Sequence, residues 1–327
     1  MNPATASSVA LPTLTVVMPV YNAAPWLAAA IGSVLQQSYP HFAFIIVDDG
    51  STDSSLAIAQ RFAQHDARIV LLRALHEGAG AARNLAIHAA QSDWIVQCDA
   101  DDCMHPERLA RLLAFIAQHP AISVTSCFGR YIAPNGRYVG RLTHDLITAE
   151  KFDWYMSNNE AIGIMCSGAA FKRTAFLAVG GYREHVFPAE DIDLWNRLSE
   201  AGYRIWVQPE FLMDIAIHLQ STLGRDFLAT RLKYEWVRSM MSARRQQRSE
   251  PSWEQFLAIW HAAPWTTRLN RKRKILAKRC FRHAGLDWAT GHRTTALFNI
   301  VVALLLQPSY ATHRLWQRMP RLRRGTS

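Results

Sequence analysis

The stretch FAFIIVDDGSTDSSLAIAQRFAQHD, residues 42–66, changes its period in the middle. Phe42 to Val47 is an almost unbroken apolar, β-branched run, which suits a strand covered on both faces. Asp48 to Asp53 is a polar turn. Beyond it Leu56, Ala59, Phe62 and Ala63 recur at helical spacing. One strand, one short turn and one helix make a βα unit, and the same alternation continues on both sides. Upstream, LTVVMPVYN (14–22) reads as a strand and AAPWLAAAIGSVLQQSYP (23–40) as a helix stopped by Pro40. Downstream come the strand RIVLLRAL (68–75), the glycine-rich turn and helix GAGAARNLAIHAAQ (78–91), the strand DWIVQCDADD (93–102) and the helix HPERLARLLAFIAQHP (105–120). Such alternation with short connections predicts an open, mostly parallel sheet with helices on both faces. Ligands of these sheets bind beyond the carboxyl ends of the strands, at the switch point. Asp48 and Asp49 end the second strand and Asp99 and Asp101 the fourth, so topology alone puts both pairs on one rim.

Farther on, AISVTSCFGRYI (121–132) and GRYVGRLTH (136–144) read as strands joined by a PNG turn. CSGAAFKRTAFLAVGGYRE (166–184) reads as strand, helix and Gly-Gly turn, and PAEDIDLWNRLSEAGYRIWVQ (188–208) as a helix opened by acids, then a strand. From about Arg225 the chain is helical, basic and Trp-rich. The net charge of +10 hides an asymmetry: residues 1–224 carry 15 Lys and Arg against 21 Asp and Glu, and residues 225–327 carry 21 against 5. A basic region of that kind suits an anionic surface. The five cysteines are scattered without a CxxC pair, which disfavours a disulfide framework or a zinc site and points to a reducing cytoplasm. Residues 1–12 read as a flexible leader without signal-peptide character. The longest apolar run, ALFNIVVALLL (296–306), has 11 residues, short of the roughly 18 of a spanning helix.

Three acidic clusters carry the chemistry. DADD (99–102) sets carboxylates at a strand end, and hard oxygen ligands suit Mg²⁺ or Mn²⁺ with positions left open for a diphosphate. The plain alternative is an acidic turn with an aspartate capping the helix near Pro106. VDDGSTD (47–53) offers a carboxylate for a base or ribose hydrogen bond, against a turn with an N-cap. In PAEDIDLW (188–195), Glu190 and Asp191 open a helix; they either complement its dipole or supply a general base.

Together these motifs resemble the inverting family 2 glycosyltransferases of GT-A fold, across roughly residues 13–220 and in that family's order and spacing. The resemblance implies an α/β, GT-A (Rossmann-like, mostly parallel sheet) catalytic domain over 13–222 and a basic helical C-terminal region over 223–327. It implies that Pro19, Tyr21 and Asn22 border the nucleotide, that Asp49 holds the base with Asp48 in support, and that Arg83 lies near the diphosphate or donor sugar. It implies a divalent metal on Asp101, with Asp99 touching the metal or the ribose side, and a further metal or phosphate contact from His218. There the family's usual arginine or tyrosine two residues earlier is replaced by Ala216. Asp191 resembles the general base, with Glu190 beside it. The implied reaction is metal-dependent, inverting transfer of a sugar from a nucleotide-sugar donor, a UDP-sugar first, to a hydroxyl of a glycan or lipid-linked acceptor in cell-envelope polysaccharide synthesis. The tail suggests a cytoplasmic enzyme resting on the inner membrane surface; no motif for nucleic acid accompanies it. Two other readings stand beside this one. A nucleotidyltransferase would need a glycine-rich, basic signature after the first strand, where this chain has PVYNAAPW. A non-catalytic member of the fold would need the loss of Asp101 or Asp191.

Overall fold

The computed structural model describes residues 13–218 and 227–318; the leader expected over 1–12, the expected boundary at 222/223 and most of the basic block 314–325 lie outside them. The strands are β1 (Leu14–Val20), β2 (Phe42–Asp48), β3 (Ile69–Arg73), β4 (Trp94–Gln97), β5 (Cys103–Met104), β6 (Ile122–Thr125), β7 (Cys127–Ile132), β8 (Tyr138–Leu142), β9 (Ala170–Lys172), β10 (Arg204–Ile205) and β11 (Gln208–Ala216). The helices of the first part are α1 (Ala24–Leu35), α2 (Ser55–His65), α3 (Ala79–Ala89), α4 (Arg108–Gln118), α5 (Ala149–Ser157), α6 (Arg173–Ala178) and α7 (Glu190–Glu200). Then follow α8 (Phe227–Arg245), α9 (Trp253–Ala262), α10 (Trp265–Thr290), α11 (Arg293–Leu306) and α12 (Pro308–Arg318).

The central sheet has seven strands in the order β10-β6-β9-β4-β1-β2-β3. β1 pairs in parallel with β2 and β4, and β2 with β3. Only β9 runs against its neighbours, β4 and β6. The chain proceeds outward from β1 to β3 and returns on the other side of β1 as β4, which makes β1/β4 the switch point. Its apolar residues are buried as the unbroken runs require: Val16, Val17, Phe44, Ile46, Ile95 and Val96 lie in one core. A second sheet has the order β5-β11-β7-β8.

Sequence reading joins residues 121–132 into one strand, but the chain leaves the central sheet at Ser126. β6 pairs with β9 and β10, while β7 joins the second sheet. The break is fixed by Ser126 itself, whose carbonyl accepts from the Gln208 amide (2.9 Å) and whose hydroxyl donates to the Met165 carbonyl (2.9 Å). Sequence reading assigns nothing to residues 149–157, which form α5 behind a Thr148 N-cap.

The chain forms two compact units. One takes residues to Arg130, Arg141–Ile215 and Met241–Arg248; the other takes Tyr131–Gly140, Ala216–Met240 and the chain from Ser249. Among the described residues no helix is long and apolar enough to cross a membrane.

Candidate active site

Turns after β1 and β2 build the first wall. Asn22 holds a left-handed conformation (φ 49°), and its side-chain carbonyl accepts from the amides of Thr52 (2.8 Å) and Asp53 (3.3 Å). Its own amide donates to the Ser51 hydroxyl. Asp53 in turn accepts from the amides of Ala24 and Ser55. Asn22 therefore splices two loops together. Pro19 sits in β1 opposite Val47. Tyr21 is exposed and stacks on His76, centroids 4.2 Å apart, leaving a flat aromatic surface at the rim.

Asp48 and Asp49 are both buried. Asp49 accepts from the amides of Glu77 (3.0 Å) and Gly78 (2.9 Å), one on each oxygen, and so anchors the entry to α3. Asp48 accepts only a long bond from Ser51, and its Oδ1 is buried without a partner.

From Gly78 the helix α3 advances about 1.5 Å per residue and carries Arg83 into the second wall, where the acidic clusters meet. Arg83 is buried. It donates to Asp99 Oδ1 at 2.7 Å and to Glu190 Oε1 at 3.4 Å, and its guanidinium stands 5.7 Å from the Tyr182 ring. One cation thus joins the carboxylate after β4 to the one that opens α7. Gly80 packs beside the pair: a Cβ there would make ordinary contact with Glu190 and Tyr182, at 3.5 Å. Burial works against the Arg83 charge, but the surrounding acids hold it protonated. Burial raises Glu190 above the usual carboxylate range, opposed by Arg83. Asp191 is raised to about 7, by burial first and by the Glu190 charge second. Its Oδ1 accepts from the Ile192 amide. Asp191 lies in the first turn of α7, where the dipole favours a charged carboxylate, yet burial and the Glu190 charge push it the other way. An acid that titrates near neutrality beside a buried ion pair has the property of a general base.

DADD is a turn, with the Asp102 amide donating to the Asp99 carbonyl. It does not cap α4, whose N-cap is Glu107 without a side-chain cap bond. The Asp99 amide donates to Ser167 Oγ, Asp102 is buried and Asp101 is half-buried. Among the described residues no three His, Cys, Asp or Glu side chains group into a metal cage. His218 is buried in the second compact unit. Asp99, whose Oδ1 accepts from Arg83, and Asp101 both offer hard carboxylate oxygens. That donor set suits a Mg²⁺ or Mn²⁺ ion which draws its other ligands from a diphosphate.

Several residues of this site stand outside the sequence expectations. Gln97 donates to the Tyr182 hydroxyl, and Cys166 Sγ donates to Gln97 Oε1 at 3.1 Å. Asn84 grips the Tyr182 backbone through both its amide and its carbonyl, each at 2.9 Å. Asp193 is fully buried and binds Arg197 at 2.7 Å, while Arg197 donates to the carbonyls of Val179 and Gly181 at 2.6 Å. Buried Arg108 donates to the Gly168 carbonyl and to Gln208. The signal for Arg197 was its i, i+4 spacing from Asp193; Gln97, Asn84 and Cys166 have none.

Residues 15–180 match the profile of glycosyl transferase family 2, and the chain belongs to that family. It is 38% identical over 206 residues to TuaG of Bacillus subtilis (strain 168), a protein named for glycosyl transfer in teichuronic acid biosynthesis; the match covers 62% of this chain and 78% of that one. Solved structures share the fold at low identity. The mannosyltransferase PcManGT from Pyrobaculum calidifontis, in complex with GDP-Man and Mn²⁺, superposes with a TM-score of 0.54 at 21% identity, over 94% of this chain and 80% of that one. S. aureus TarS 1-349 in complex with UDP-GlcNAc superposes with a TM-score of 0.54 at 16% identity, over 92% of each chain. The fold is therefore GT-A: a mixed α/β layer with a mostly parallel sheet, followed by a helical C-terminal region.

Proposed function

We propose that this chain transfers a sugar from a nucleoside-diphosphate sugar to a hydroxyl of a glycan or lipid-linked acceptor, with inversion at the anomeric carbon. The observation that carries the reading is the meeting of Arg83, Asp99 and Glu190 beside an Asp191 raised to about 7. Asp191 takes the proton of the acceptor hydroxyl as the oxygen attacks the anomeric carbon. The nucleoside diphosphate leaves from the opposite face, and a single displacement inverts configuration. Arg83 stays charged and orients the donor phosphates or sugar. Asp48, with its buried unpartnered oxygen, and Asp49 line the base end, next to the Tyr21–His76 stack; Pro19 and Asn22 shape that wall. A divalent cation held by Asp101 and the second oxygen of Asp99 would offset the charge of the leaving diphosphate. UDP is the first expectation for the nucleotide, supported by the UDP-GlcNAc complex of TarS, while PcManGT with GDP-Man keeps GDP in the test. The setting is envelope polysaccharide assembly on the cytoplasmic side, supported by the likeness to TuaG. Catalytic function is assigned to residues 13–222.

The test is a panel of UDP-, GDP- and dTDP-sugars, followed for nucleoside diphosphate release with Mn²⁺, with Mg²⁺ and with chelator, in wild type and Asp191→Asn. Metal-dependent release from one nucleotide class, absent in the variant, is the expected result. Failure of every donor to bind overturns the reading. The anomeric coupling of the glycoside product, measured by NMR, decides inversion.

A further inference from the structure

The helix α11 (Arg293–Leu306) presents a stripe that no described residue of its own unit covers. Leu297, Phe298, Val301 and Leu305 are 53%, 66%, 52% and 75% exposed, and their spacing puts them on one face. The opposite face is firmly seated. Ala296 and Ala303 are fully buried, Asn299 donates to Asp287 on α10, and Arg273 on α10 donates to the Leu306 carbonyl at the far end. The stripe therefore points outward because α11 is pinned at its middle and at its far end, not because the helix is loose. The sequence holds no Asp, Glu, Lys or Arg between Arg293 and Arg314, whereas α10 carries eight Lys and Arg against one Asp. Lys272, Arg273 and Lys274 are exposed beside the end of α11 fixed by Arg273. Trp265 and Trp288, near the two ends of α10, are 73% and 52% exposed.

We propose that this face of the α10–α11 hairpin docks flat on a bilayer containing anionic phospholipid. The apolar stripe enters the interface, the lysines and arginines of α10 meet the headgroups, and the tryptophans lie at headgroup level. At 14 residues, α11 is about 21 Å long, too short to span and long enough to lie in the plane. Charge selects this occupant over a second copy of the chain: residues 253–313 carry nine Lys and Arg against two acids, so two such faces would repel. A nucleic acid would use the basic residues and leave the apolar stripe in water. The proposal is independent of the reaction assigned above.

The test is sedimentation of the full chain with vesicles of phosphatidylcholine alone and of phosphatidylcholine with phosphatidylglycerol. The wild type is expected to pellet only with the anionic vesicles. Lys272→Ser with Lys274→Ser should weaken binding roughly five-fold per lysine and less in high salt. Phe298→Ser with Leu305→Ser should remove most of the binding, with helicity by circular dichroism unchanged. A wild type that stays in the supernatant overturns the proposal, as does an apolar variant that binds like wild type. So does a wild-type dimer that the apolar variant converts to monomer while vesicle binding is absent. Donor hydrolysis without acceptor should be the same in all variants, which separates failure here from failure of the enzymatic reading.

Discussion

Asp191 is held in an uncomfortable state, and its titration makes two predictions of opposite character. In its proposed role of general base it must be ionised, so turnover should rise with pH through about 7 and level off above. Asp191→Asn should lower kcat by about a hundred- to ten-thousand-fold. Stability should run the other way. The folded-state value is raised above the ordinary 3.8, so the contribution of this group is fully present below that ordinary value and is lost as pH rises through about 7. The inactive Asp191→Asn protein should therefore melt higher than wild type in mildly alkaline buffer, and the difference should vanish in acid; paired calorimetric scans check this. Arg83 pulls that midpoint down. Its charge favours ionised Asp191, so Arg83→Met should move the pH–rate midpoint upward and Arg83→Lys should hold it closer to wild type. Arg83→Met also strands the buried Glu190 without its cation, which should cost about 3–5 kcal/mol in denaturant titration.

At the scale of elements, α7 is placed by a clamp rather than by its cap. Ala189 offers no cap bond; instead Arg197 ties Asp193 to the carbonyls of Val179 and Gly181, in the turn that delivers Tyr182 to Asn84 and Gln97. Arg197→Met should destabilise the fold by about 3–5 kcal/mol and disturb the Asp191 pH profile. Arg197→Lys should rescue only part, because an ammonium does not reproduce the planar fork. This clamp also shows what the sequence made legible. The βα alternation was readable because a change of period is local, and the three acidic clusters were readable because like charges crowded at two strand ends and one helix start need a reason. The company of Arg83 was not readable. Tyr182, Gln97, Asn84 and Cys166 are ordinary residues, and they meet only because β9 inserts antiparallel between β4 and β6. The split at Ser126 was hidden for the same reason, since β6 and β7 are both extended and only their partners in different sheets separate them. The Thr148 cap marked α5, but its amphipathic pattern is too weak to announce a helix.

Across the whole molecule, charge divides along the chain, from a net −6 in residues 1–224 to +16 in residues 225–327. Within the acidic part, the hardest electrostatic problem is solved internally. Arg83 already answers Asp99 and Glu190, so cohesion of the catalytic layer does not wait for a cation. Chelator should stop turnover while leaving the melting temperature where it was; a fall in melting temperature would show a structural ion instead. Under the proposed metal-dependent reaction, an enzyme so arranged would be synthesised and stored in a metal-starved cell without loss, and its output would follow the supply of cation and donor rather than the amount of protein made.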